Sequence, residues 1–161
     1  MEKFDIDAIP YRSDKIDTWR NNFTGIQFLH QPTDFLVFGA IDDVWINPNG
    51  ELIIVDYKAT GANEYKIYDS YKRQMEVYQW LFKQNGYKVC SLGYFLFAKV
   101  NKEKGFAAGN LSFDLSVEPC QGNSSWVEGV LPQVKKILQA DVPEYKEECL
   151  YCQYSKNSII K

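Results

Sequence analysis

Three side chains on two short stretches are suited to acid–base or metal chemistry: Asp42 in Gly39-Ala40-Ile41-Asp42-Asp43, and Asp56 and Lys58 in Asp56-Tyr57-Lys58, fourteen residues after Asp42. In both stretches charge interrupts an apolar run at its end, which costs free energy unless it meets a solvated cleft or a partner. Residues two apart in extended chain share a face, so Asp56 and Lys58 point the same way, and an adjacent antiparallel strand can place Asp42 beside them. Paired carboxylates with few other ligands suit a hard divalent cation, Mg2+ or Mn2+, which keeps waters for a substrate phosphate. A lysine there can orient or deprotonate a water, or stabilise the charge developing on a phosphorane-like transition state. Asp43 is the nearest alternative to Asp42. Taken alone, Asp-x-Lys at a strand end is more often a surface ion pair contributing about 0 to 1 kcal/mol, and the weight comes from its combination with other residues.

A third element adds to this pair. Gln74 and Tyr78 lie at i and i+4 on one face of a helical stripe that includes Tyr71 and Met75, with Lys72 and Arg73 adjacent. A polar Gln on such a stripe wants a hydrogen-bond partner, which the Asp/Lys cleft would supply. Tyr65, Lys66, Tyr68, Lys72 and Arg73 form the aromatic and basic subset near that helix able to line a strand of DNA.

The elements that position these residues follow from periodicity. Residues 1–24 carry scattered charge with no sustained period and read as an irregular lead-in, with Ile16 and Trp19 able to dock on a neighbouring surface. Gln31-Pro32-Thr33-Asp34 between apolar runs predicts a hairpin, and Asn47-Pro48-Asn49-Gly50 a second turn leading into Leu52–Val55, so the strands are expected to form a meander. Three-and-four spacing predicts a helix over about 65–85, closed by Gly86. Val89–Val100 reads as an interior strand and Leu111–Val117 as a half-exposed one. A Ser-x-x-Glu capping box around Ser124–Glu128 opens a helix running towards Ala140, which either kinks at Pro132 or begins near Leu131. The expected fold is a single α/β domain, 1–161, with a mixed central β-sheet flanked by helices and a C-terminal tail, 141–161.

The series GAIDDVWINPNGELIIVDYKAT, followed by YKRQMEVYQW, resembles the PD-(D/E)xK nuclease superfamily in its RecB-like branch, which also holds the iron–sulfur CRISPR-associated exonucleases. The likeness is closest over about residues 35–82. It implies a restriction-endonuclease-like core and a divalent-metal-dependent nuclease acting on DNA, single-stranded or at a duplex end, as in DNA repair. By position in the motifs, it implies that Asp42, Asp56 and the backbone carbonyl of Tyr57 bind the metal, and that Lys58, Gln74 and Tyr78 complete the catalytic set. The sole histidine, His30, is a further metal candidate, sitting in a strand rather than on an upstream helix. Related enzymes have an earlier helix bearing a Glu; the chain is expected to lack it, exposing its N-terminal side to a partner protein or a second copy. The alternative is a catalytically impaired nucleic-acid-binding or assembly module.

Cys149-Leu150-Tyr151-Cys152 resembles half of the cluster-bearing relatives' device. Cys90 reads as a buried strand residue and Cys120 as a loop residue, leaving no clear fourth donor for zinc or an iron–sulfur cluster. The net charge of −3 and pI near 5.2 exclude a protein that holds nucleic acid simply as a polycation. The chain shows neither an apolar secretory signal nor an 18-residue membrane span, so a cytoplasmic protein with reduced thiols is expected.

Overall fold

Alternation along Leu52–Val55 decides the layering of the molecule. In the computed structural model, which describes residues 4–62, 64–103 and 109–159, Leu52 and Ile54 join one apolar cluster, while Ile53 and Val55 join another on the opposite sheet face. These residues lie in β5 (Leu52–Thr60), the middle of a five-stranded sheet with β1 (Ile9–Pro10), β4 (Asp43–Ile46), β6 (Leu92–Val100) and β7 (Phe113–Gln121) in the order β1-β4-β5-β6-β7. β4 pairs antiparallel with β5 through Asp43↔Val55 and Val44↔Ile54, β5 pairs parallel with β6, and β6 pairs antiparallel with β7.

A parallel pair needs a crossover, and α2 (Asp69–Gln84) provides it between β5 and β6. Its buried face, including Met75, Tyr78, Leu81 and Phe82, packs with Ile54, Phe95 and Phe97 in the larger cluster. The parity that turns Leu52 and Ile54 towards α2 carries Asp56 and Lys58 to the same face. The mixed α/β sheet flanked by helices is therefore as expected, and the crossover helix and both turns lie where periodicity placed them.

The meander is interrupted. β2 (Ile26–His30) and β3 (Phe35–Gly39) form the expected hairpin, but as a separate two-stranded sheet. It packs against α2, with Phe28 and Trp80 edge to face at 5.5 Å between ring centres. β3 does not continue into β4 because the chain turns at Ala40-Ile41, where the Ile41 N–H bonds to the Trp19 carbonyl at 3.0 Å. The free edge of β4 is taken instead by β1, with Ile9 opposite Ile46.

The stretch expected as an irregular lead-in thus holds a strand, β1, and a short helix, α1 (Ile16–Arg20). Trp19 is buried and packs edge-on against Phe82 at 4.7 Å and Tyr87 at 5.3 Å. α3 (Ser125–Gln139) runs through Pro132 as one element. The capping box is not formed: Asn123 Oδ1 accepts the Ser125 N–H at 3.1 Å, and Glu128 is engaged by His30. The expected C-terminal tail contains a further helix, α4 (Leu150–Ile159).

Candidate functional site

Asp42 immediately precedes β4, one step beyond the Asp43↔Val55 pair, which sets it across from Asp56. Asp42 Oδ2 accepts the Tyr57 N–H at 2.6 Å, stitching the two strands together where their ladder ends. Oδ1 carries no hydrogen bond among the described residues. The sequence expectation that Asp42 and Asp56 sit on antiparallel neighbours agrees with this arrangement.

Asp56 is only 3% exposed. Its Oδ2 lies 2.5 Å from Lys58 Nζ as a close ion pair, and no second donor among the described residues reaches this buried oxygen, which keeps acceptor capacity to spare. Burial raises the Asp56 carboxyl above its ordinary 3.8; the Lys58 ammonium opposes this and the Asp42 charge adds to it. A buried carboxylate beside a second carboxylate suits a hard cation, which would favour the charged form of Asp56.

α2 completes the arrangement. Lys58 Nζ donates to Gln74 Oε1 at 3.1 Å, and Gln74 Nε2 donates to the Tyr78 hydroxyl at 2.8 Å. The Lys58 ammonium also lies 4.6 Å from the Tyr71 ring centre, a cation–π contact. Burial raises the Tyr78 phenol, so it stays protonated. Tyr78 in turn requires Gly39, because a Cβ on Gly39 would approach Tyr78 Cε1 to 2.6 Å. The glycine of the first stretch and the tyrosine of the helix are therefore one packing unit.

Asp43, the alternative to Asp42, is already engaged at both oxygens. Oδ1 takes Arg20 Nη2 at 2.7 Å and Oδ2 takes the Tyr57 hydroxyl at 2.7 Å. Burial and the bond to Asp43 push the Tyr57 phenol far above its ordinary value, keeping it a donor. Sequence reasoning missed the contributions of Arg20 and the Tyr57 side chain. Tyr71 was visible as part of the helical stripe.

His30, a metal candidate by sequence, has both ring nitrogens taken: Nδ1 by Thr33 Oγ1 at 2.6 Å and Nε2 by Glu128 Oε1 at 2.9 Å. It is 3% exposed and ties the hairpin to α3. Arg73, counted among the DNA-lining residues, instead stacks 4.6 Å over Trp126 and pairs with buried Glu76 at 3.3 Å. Tyr65 packs on Phe97 at 5.4 Å between ring centres. Lys66 and half-exposed Tyr68 stay at the rim of a small cleft, about 50 Å³, that Lys58 and Tyr71 also line.

The four cysteines are free thiols. Cys120 lies buried in β7 opposite Gly93 rather than in a loop, and Cys90 precedes β6, partly exposed, rather than being buried within a strand. The Cys152 backbone N–H and thiol, and then the Tyr151 N–H, at the start of α4 lower the Cys149 thiol. Among the described residues no group of three or more His, Cys, Asp or Glu is arranged to hold a metal ion. Also among them, no helix is long and apolar enough to cross a membrane.

No curated protein matches the chain significantly. The solved crystal structure of SSO0001 is similar with a TM-score of 0.44 and 19% identity, over 75% of this chain and 50% of that one. The chain thus spans about half the length of that protein. Residues 8–156 match the family model of the PD-(D/E)XK nuclease superfamily. A match over nearly the whole described sheet, and over the helix that crosses it, means that the chain belongs to the PD-(D/E)XK nuclease superfamily.

Proposed function

We propose that this chain is a metal-dependent deoxyribonuclease of the RecB-like branch, hydrolysing phosphodiester bonds in single-stranded DNA or at a duplex end. The observation that carries the reading is the buried Asp56 carboxylate, ion-paired with Lys58 on its own strand and set across from Asp42 at the start of the next. Asp42, Asp56 and the backbone carbonyl of Tyr57 would hold Mg2+ or Mn2+. The family's nucleases generally use these ions, and Mg2+ needs only one or two carboxylates when waters and phosphate fill its other positions. The bound ion would activate a water and offset the charge of the scissile phosphate.

The remaining roles fall to side chains of this protein. Lys58, fixed by Gln74 and by the Tyr71 face, presents its ammonium beside Asp56, where it can donate to the attacking water or to a phosphate oxygen. Gln74 sets the direction of Lys58, and Tyr78 holds Gln74 by accepting from its amide. Lys66 and Tyr68 at the cleft rim would meet the nucleotide next to the scissile bond by charge and stacking.

The test is incubation of labelled single-stranded DNA, duplex DNA and RNA of the same sequence with the protein and Mn2+, with parallel samples in chelator. Metal-dependent cleavage of DNA that is lost in Lys58→Ala is the expected result. Binding without cleavage by micromolar protein would overturn the catalytic reading and leave a nucleic-acid-binding module.

A further inference from the structure

The segment from Ile41 to Asp43, which carries a proposed metal donor, is gripped from outside the sheet by two consecutive residues of α1. Trp19 accepts the Ile41 N–H through its backbone carbonyl at 3.0 Å. Arg20 donates from Nε to the Asp42 carbonyl at 2.9 Å and from Nη2 to Asp43 Oδ1 at 2.7 Å. One guanidinium therefore spans the peptide between the two aspartates, which a point-charge ammonium cannot do. α1 itself is anchored by the buried Trp19 ring between Phe82 and Tyr87.

The grip continues to the neighbouring strand. Asp43 Oδ2 receives the Tyr57 hydroxyl at 2.7 Å, while the Tyr57 N–H donates to Asp42 Oδ2 at 2.6 Å. Alternation turns Asp43 and Tyr57 to the side of the sheet opposite Asp56 and Lys58, so this chain of bonds braces the site from behind. We propose that Arg20 is a positioning residue which, with Asp43 and the Tyr57 hydroxyl, fixes the orientation of the Asp42 carboxylate and the Tyr57 carbonyl for divalent cation binding. This inference rests on the metal site proposed above. Groups that orient the ligands of a metal commonly change its affinity by about 10- to 100-fold without touching it.

The test measures Mn2+ affinity of the metal-free protein by calorimetry and by the loss of free-ion EPR signal. The variants are Arg20→Gln, Arg20→Lys, Tyr57→Phe and the Arg20→Gln/Tyr57→Phe double, with thermal midpoints taken in chelator. Arg20→Gln and Tyr57→Phe should each weaken Mn2+ binding about 10- to 100-fold. Arg20→Lys should fail to restore it, and the double variant should bind little worse than the weaker single, because both changes act through Asp43. Tyr57 is 46% exposed, so its phenylalanine variant remains informative if Arg20→Gln proves unstable. Wild-type affinity in both single variants would overturn the positioning role while leaving the metal site standing. No Mn2+ binding by the wild type would overturn the metal site, and the positioning role with it.

Discussion

Lys58 Nζ lies 3.1 Å from Gln74 Oε1, which joins the Asp-x-Lys of β5 to the Gln-x-x-x-Tyr of α2 in one hydrogen-bonded chain ending at the Tyr78 hydroxyl. The same ammonium is 2.5 Å from Asp56 Oδ2. A single side chain thus couples the sheet to the crossover helix at the point where buried charge is concentrated.

Breaking that pair at one end should cost stability as well as activity. Lys58→Met leaves the Asp56 carboxylate alone in a site where it is 3% exposed, and a loss of about 3 kcal/mol is expected at pH 7, the lower end of the range for a broken buried pair. Any DNA cleavage should fall by about 10²- to 10³-fold. Adding Asp56→Asn removes the stranded charge, so the double variant should recover most of the thermal midpoint and none of the activity. Denaturant melts of the three proteins decide this; equal destabilisation in the single and the double would count against a pair buried together.

Stability of the metal-free protein should fall with rising pH across an acidic window. Burial raises the Asp56 carboxyl above 3.8, so the folded state holds this proton more tightly than the unfolded chain. Its contribution is therefore full below 3.8 and is lost as pH rises through the raised folded value. Asp56→Asn should flatten that part of the curve and melt above the wild type at pH 7 in chelator. With Mn2+ present the wild type should gain midpoint and Asp56→Asn should not. Thermal melts in chelator from pH 4 to 8 check both, and a variant that tracks the wild-type curve would refute the assignment to Asp56.

Gly39→Ala is a packing test of the same site. The added methyl would approach Tyr78 Cε1 to 2.6 Å and Cδ1 to 3.1 Å, and Tyr78 is buried and tethered to Gln74. The ring must move, at a cost of about 1 to 3 kcal/mol. Its displacement should release Gln74 and loosen Lys58, so activity should drop more than the folded fraction does. Unchanged activity per folded molecule would detach Tyr78 from the site.

His30→Ala should separate structure from metal binding. The imidazole connects Thr33 to Glu128, which lies 98 residues beyond His30, and its removal leaves a buried Thr33 hydroxyl and a void against Trp80. A destabilisation of about 1 to 3 kcal/mol is expected, with Mn2+ affinity unchanged. A weakened Mn2+ affinity in the folded variant would place His30 at the metal instead.

What could be read in the sequence was local. Asp56 and Lys58 share a face because β-strands alternate, and Gln74 reaches Tyr78 because helices bring i and i+4 together; both relations hold wherever the elements form. The turn at Asn47–Gly50 placed β4 antiparallel to β5, and so Asp42 near Asp56, for the same short-range reason. Tertiary structure decided the rest. Nothing within a helical or strand period links Arg20 to Asp43, 23 residues away, or His30 to Glu128. Those partners are chosen by how Trp19 docks under α2 and by how the hairpin packs between α2 and α3. The break in the meander has the same origin, since pairing β1 with β4 and bonding Ile41 to Trp19 satisfies backbone groups that a β3–β4 ladder would otherwise have taken. A buried polar group accepts whichever partner the packing presents, and packing is a property of the assembled chain rather than of any window along it.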